Sequence, residues 1–141
     1  MRPVDVIGVA RSVIGTPFLH QGRSLRGMDC VGLLIHVAEQ FGAPYIDVAG
    51  YGRRPTAETL EQAFDANVES GNLIRVALGS QQIGDFLMMR FTRHPQHLAI
   101  FAGENIIHSY EAVGKVCEHR LDALWASRVV RVYRLAGMSN E

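Results

Sequence analysis

The sequence predicts an α+β fold in which helices come first and an antiparallel sheet follows, with residues 1–141 forming one domain. Apolar residues recur at helical spacing in the first half of the chain, and after Gly79 the period changes from about 3.6 to about 2. Composition supports a single core: 48% hydrophobic and 20% charged residues over 141 positions are globular values. A chain of this size buries roughly two-thirds of the surface its unfolded form exposes.

Val4 to Ile14 is the first predicted helix, with Val6, Ile7, Val9, Ala10, Val13 and Ile14 on one stripe and Gly15-Thr16-Pro17 ending it. Phe18 to Met28 reads as a loop with turn points at Gly22, Ser24 and Gly27. Cys30 to Phe41 forms the second helix, with Val31, Leu34, Ile35, Ala38 and Phe41 inward and Gly42 as its C-cap. Ala43 to Pro55 is loop, broken by Gly50, Gly52 and Pro55. Thr56 then caps a third helix, on which Leu60, Phe64 and Val68 fall at i, i+4 and i+8. Strands are expected at Phe86 to Phe91, Leu98 to Phe101, Ile106 to Tyr110 and Val129 to Tyr133, separated by Pro95, Gly103-Glu104-Asn105 and Gly114. Arg120 to Ala126 reads as a short helical turn before the last of them.

Fourteen basic and fourteen acidic residues cancel, so no global field holds nucleic acid or an anionic membrane surface. Asp5 and Arg11 interrupt the N-terminal apolar stretch and no small-residue cleavage site follows, which reads as a helix and not a signal peptide. No run approaches the ~18 apolar residues that a membrane crossing needs. Two cysteines, Cys30 and Cys117, do not make a disulfide framework, and a reduced chain made in the cytoplasm is expected.

The chemistry centres on Cys30, in the run Gly27-Met28-Asp29-Cys30-Val31-Gly32. A cysteine in the first turn of a helix faces amide donors and the positive dipole end, which favour the thiolate, the reactive form. A thiolate nucleophile needs a base and a third group to orient that base. His97 opens the run His97-Leu98-Ala99-Ile100-Phe101 and His108 closes the run Ile106-Ile107-His108, so the hairpin between them can bring the two imidazoles together. Asp29 can bind a substrate amine or cap the helix, and His20 can line a cleft or be a solvated loop residue. Asp85 reads as a turn residue, while His36, Cys117 and His119 read as surface or packing residues. A zinc reading would draw on His94, His97, His108, Cys117 and His119, but Pro95 breaks any helix aligning the first two and the spacing fits no strong zinc pattern.

The order Gly15-Thr16-Pro17-Phe18, Gly27-Met28-Asp29-Cys30-x-Gly32-Leu33, Gly84-Asp85, His97-Leu98-Ala99-Ile100-Phe101 and Ile107-His108-Ser109 resembles the NlpC family of papain-like cell-wall cysteine peptidases. The resemblance runs from about residue 5 to about residue 134. It implies a papain-like fold, N-terminal helices packed on a C-terminal antiparallel sheet, with Cys30 as nucleophile, His97 as general base and His108 orienting it. It also implies hydrolysis of amide bonds in peptidoglycan stem peptides, commonly after D-glutamate, without metal or organic cofactor. Asp29, Phe18 and His20 fall where substrate would bind. Phe18 replaces a tyrosine usual in the family, Val31 replaces a serine, and Leu19-His20-Gln21-Gly22 replaces a glycine-rich stretch. The long separation of Cys30 from His97 is similar to phage-tail and gene-transfer-agent versions, which implies phage-tail proteins as partners and delivery to the wall by a particle. Two other functions are open: a phage-tail structural module without useful activity, and thioester-based acyl transfer by the same triad.

Overall fold

The computed structural model describes residues 1–47, 57–92 and 95–139. Helix α1 (Pro3–Ser12) leads to a short hairpin of β1 (Arg23–Ser24) and β2 (Gly27–Met28), then α2 (Cys30–Gln40) and α3 (Ala57–Glu69). Strands β3 (Leu73–Val76), β4 (Phe86–Arg90), β5 (Pro95–Phe101), β6 (Asn105–Tyr110) and β7 (Lys115–Arg120) follow, and α4 (Ala123–Arg128) precedes β8 (Val129–Leu135). The large sheet has the order β3-β8-β4-β5-β6-β7, with every pairing antiparallel. This is the expected α+β architecture of helices on an antiparallel sheet.

Local sequence explains most elements. Pro3 lies in the first turn of α1, where its missing N–H costs nothing, and Val6, Ile7, Ala10 and Val13 are buried. The predicted stripe ends early, because the helix stops at Ser12 and Ile14 is exposed. In α2, Gly42 takes a φ of +63° just past the end, as a C-terminal glycine does, and burial extends beyond the predicted face to Leu33 and Val37. Leu60 and Phe64 of α3 are buried and Val68 packs against the core. The predicted cap at Thr56 and the breakers Gly50, Gly52 and Pro55 lie outside the described residues.

Three sequence expectations are corrected. Phe18 to Met28 is not all loop: Arg23 pairs with Met28 and Ser24 with Gly27. Strands β3 and β7 carry no strong apolar alternation and were not anticipated, and Arg120 ends β7 instead of starting a helix. Asp85 does more than turn the chain, since its fully buried carboxylate accepts Arg134 Nε at 2.7 Å and Nη2 at 2.9 Å, and the Gln82 N–H at 2.8 Å. A buried carboxylate without such donors would be strongly unfavourable.

The sheet is buried on both faces. Phe86, Met88, Leu98, Ile100, Ile107 and Tyr133 join the helices in the larger core, while Leu87, Met89, Ala99, Ile106 and Val132 form a second cluster against Trp125. Residues Gly15 to Phe18 run beside β7: the Gly15 and Phe18 N–H groups donate to the Val116 and Gly114 carbonyls, and Val116 N–H donates to Thr16.

Packing at the start of α2 leaves no room for a side chain at Gly32. A Cβ there would run into the Gly22 carbonyl oxygen, whereas one at Gly8 in α1 meets nothing within 4 Å. The same substitution is therefore expected to act with opposite sign at the two sites. Gly8→Ala should raise the unfolding free energy by about 0.5–1 kcal/mol and Gly32→Ala lower it by about 1–3 kcal/mol, measured by urea denaturation. Equal effects at both positions would refute the packing argument.

Candidate active site

Loop, helix and sheet converge just before Cys30. Asp29 is 3% exposed, and its carboxylate accepts the Gly32 N–H at 2.8 Å, the Gln21 N–H at 2.8 Å and Arg23 Nη1 at 3.0 Å. Of the two roles open for Asp29, the structure shows the helix cap. The buried Ser109 hydroxyl donates to the Met28 carbonyl at 2.6 Å, tying the residue before the cap to β6.

Cys30 retains some exposure as a residue and packs against the larger core. The backbone amides of Leu98, Val31 and Cys30 lie near enough to its sulfur to favour the ionised form. The first of these lies one residue beyond His97 on β5. Among the described residues, no hydrogen bond links the sulfur itself to an imidazole.

Burial nonetheless pushes the Cys30 thiol up to about 12, with the Asp29 charge adding to the rise and the amides opposing it. Burial thus favours the thiol where the helix terminus alone would favour the thiolate. Desolvation and a neighbouring carboxylate outweigh the helix terminus.

His97 Nε2 and His108 Nδ1 are 2.6 Å apart, in rings that are 5% and 0% exposed as residues. The hairpin anticipated from sequence brings them together through the pairings Ile100 with Ile107 and Phe101 with Ile106. The chain of rings then continues: His108 Nε2 is 2.8 Å from His119 Nε2, and His119 Nδ1 is 2.9 Å from the Arg120 carbonyl. His97 is held well below the usual histidine value by burial, then by the positive charges that His108, Arg128 and His119 can carry. His108 is lowered to about 3, by burial first and His119 second. Both are neutral at physiological pH.

An aromatic cover explains that burial. Trp125 of α4 lies 6.4, 5.2 and 4.9 Å from the His97, His108 and His119 ring centroids, and Tyr110 stacks on His108 at 5.1 Å. Phe91 stacks on His97 at 5.3 Å, and the Arg128 guanidinium lies 4.8 Å over Phe91 and 4.5 Å over Trp125. Beside His97 opens a cleft of about 330 Å³ lined by Phe18, Phe91, Gln96, Ser109, Tyr110 and Glu111, among others.

Phe18 is thus on the cleft wall, while His20 lies in the turn before β1 and Asp29 points into the protein; neither lines that cleft. His119, Trp125 and Arg128 were missed. His119 was detectable only by reading β7 as a strand, because its register places His119 opposite Ile106 and Cys117 opposite His108. His94 of the zinc reading lies outside the described residues. Among the described residues, no group of three or more His, Cys, Asp or Glu is arranged to hold a metal ion, and no helix is long and apolar enough to cross a membrane.

Residues 15–134 match the NlpC/P60 family. The chain belongs to that family. Among solved structures, an NlpC/P60 family protein from Bacillus cereus ATCC 10987 aligns with a TM-score of 0.70 at 19% identity, covering 95% of this chain and 40% of that one. The NlpC/P60 domain of the peptidoglycan hydrolase SagA aligns at 0.64 and 20% identity over 94% of this chain and 97% of its own. The peptidoglycan hydrolase RipB from Mycobacterium tuberculosis aligns at 0.65 and 18% identity over 95% and 65%. At such identities the likeness is one of fold, and this NlpC/P60 chain spans less than half the length of the Bacillus protein. No curated protein sequence matches it.

The buried neutral histidines set a pH dependence of stability. Their folded pKa values lie below the unfolded value of ~6.5, so the unfolded state binds more protons and stability falls as pH drops through that value. Between pH ~6.5 and 5, each should contribute a slope of up to about 1.4 kcal/mol per pH unit. In urea titrations, His108→Gln is expected to show a shallower slope than the wild type. Identical slopes would mean that His108 is not buried neutral.

Proposed function

We propose that this NlpC/P60 protein is a cell-wall cysteine peptidase that hydrolyses amide bonds in peptidoglycan stem peptides, with Cys30 as nucleophile, His97 as base and His108 orienting it. The observation that carries the reading is the 2.6 Å His97–His108 contact, one residue along β5 from the amide that faces the Cys30 sulfur. Family membership supports the same chemistry, as do fold neighbours that are peptidoglycan hydrolases.

Because His97 Nε2 is occupied by His108, Nδ1 is the nitrogen left to accept a proton. As the sulfur attacks the substrate carbonyl, its proton passes to that nitrogen and the C–N bond becomes that of a tetrahedral intermediate. The Cys30 N–H, at the first position of α2, belongs to the set of amides without an intrahelical acceptor and can stabilise the oxyanion. Return of the proton to the leaving amine breaks the C–N bond and leaves a thioester. Water, deprotonated by the same nitrogen, attacks the thioester carbonyl; the C–S bond breaks, the acid product leaves and the proton returns to the Cys30 sulfur. Phe18, Phe91 and Tyr110 give the adjacent cleft an aromatic wall for the stem peptide, and the family resemblance is the ground on which we assign scission after D-glutamate.

One observation favours a second reading, a family module of little activity: among the described residues, no hydrogen bond joins the Cys30 sulfur to an imidazole, and His97 Nε2 faces His108 instead. Thiol reactivity against pH does not separate the two readings, since both start from a thiol. Product masses do. Digestion of defined muropeptides should release stem-peptide fragments, and Cys30→Ala and His97→Ala should each lower the rate by about a thousandfold or more. Cleavage by Cys30→Ala at the wild-type rate would overturn the proposal, and no cleavage by the folded wild type would favour the module.

A further inference from the structure

The proton positions along the three histidines follow from one end when each ring carries a single N–H. The Arg120 carbonyl can only accept, so His119 Nδ1, 2.9 Å away, carries a proton and donates it. With that proton as the ring's one N–H, His119 Nε2 is an acceptor, and His108 Nε2, 2.8 Å away, is then the donor. By the same count His108 Nδ1 accepts, and His97 Nε2, 2.6 Å from it, donates. What remains is a lone pair on His97 Nδ1.

We infer that His119, anchored on the Arg120 carbonyl, is a positioning residue that fixes the tautomers of His108 and His97 and so keeps His97 Nδ1 free to act as the base. The inference deepens the peptidase reading and rests on it for what His97 does with that lone pair; the tautomers themselves do not depend on it.

Without an acceptor at His119, no other hydrogen bond among the described residues dictates which His108 nitrogen holds the proton. The alternative tautomer of His108 donates from Nδ1, which forces His97 to accept at Nε2 and carry its own proton on Nδ1. That form cannot take a proton from the thiol. The surroundings keep His119 in register for this role: its strand partner is Ile106, and Trp125 packs against both His108 and His119 at centroid distances of 5.2 and 4.9 Å. His119 is half-buried, so it joins the fully buried His108 to the protein surface.

The tautomers can be read directly by imidazole ¹⁵N chemical shifts in the intact wild-type chain at neutral pH. We expect His119 protonated at Nδ1, and His108 and His97 protonated at Nε2. His119→Leu should move the His108 and His97 nitrogen shifts toward a mixture of tautomers and lower kcat on muropeptides by about tenfold or more with KM little changed. His119→Gln, whose side-chain oxygen can accept from His108 Nε2, should restore both. A wild-type His119 protonated at Nε2, or unchanged His97 and His108 shifts in His119→Leu, overturns the inference. The stated tautomers in a protein that cleaves no muropeptide would support the inference while refuting the peptidase reading.

Discussion

The buried carboxylate of Asp29 is the constraint from which the site is built. It accepts from the first turn of α2 through Gly32, from the preceding loop through Gln21, and from Arg23. An anion at a helix N-terminus satisfies amides that have no intrahelical acceptor, so the contact is favourable where it stands. It also fixes where α2 begins, and with it the position of Cys30. The same negative charge adds to the burial that pushes the Cys30 thiol up to about 12. The interaction that builds the site therefore opposes the ionised sulfur.

Strand β6 supplies the second half of the frame. Its neighbours Ser109 and His108 point different ways, Ser109 to the Met28 carbonyl ahead of the cap and His108 into the line of imidazoles. One strand thus holds both the start of α2 and the histidines. Because the sheet is covered on both faces, those histidines lie under Trp125 and Tyr110, away from water, where the neutral form is favoured. Burial favours a thiol at Cys30 and neutral rings at His97 and His108, with charge appearing there only when a proton moves.

How much of this could be read beforehand varies by residue. The His97–His108 pair was legible because the Gly103-Glu104-Asn105 turn separates two strongly apolar strands, and a short hairpin leaves few registers. His119 was not, because Lys115-Val116-Cys117-Glu118-His119-Arg120 has one fully buried apolar residue, Val116, and shows little period. Its strand character comes from hydrogen bonding to β6. Asp85 looked like a turn residue because its partner Arg134 is far along the chain. Trp125 and Arg128 gave no local sign that α4 would cover the histidines.

Features set by near neighbours are written in the chain itself: the α+β order, the helix opening at Asp29-Cys30 and closing at Gly42, and the hairpin that joins His97 to His108. Caps, turns and hydrophobic period act over a few residues, so the sequence carries them openly. Folding brings together what the chain order does not show: the burial that favours a thiol at Cys30, the pairing of Asp85 with Arg134, and the extension of the histidine pair through His119 to a carbonyl. Desolvation and hydrogen-bond partnership are sums over groups that meet only after the chain has folded. A thiol at a helix start therefore has a position legible in sequence and a protonation state that is not.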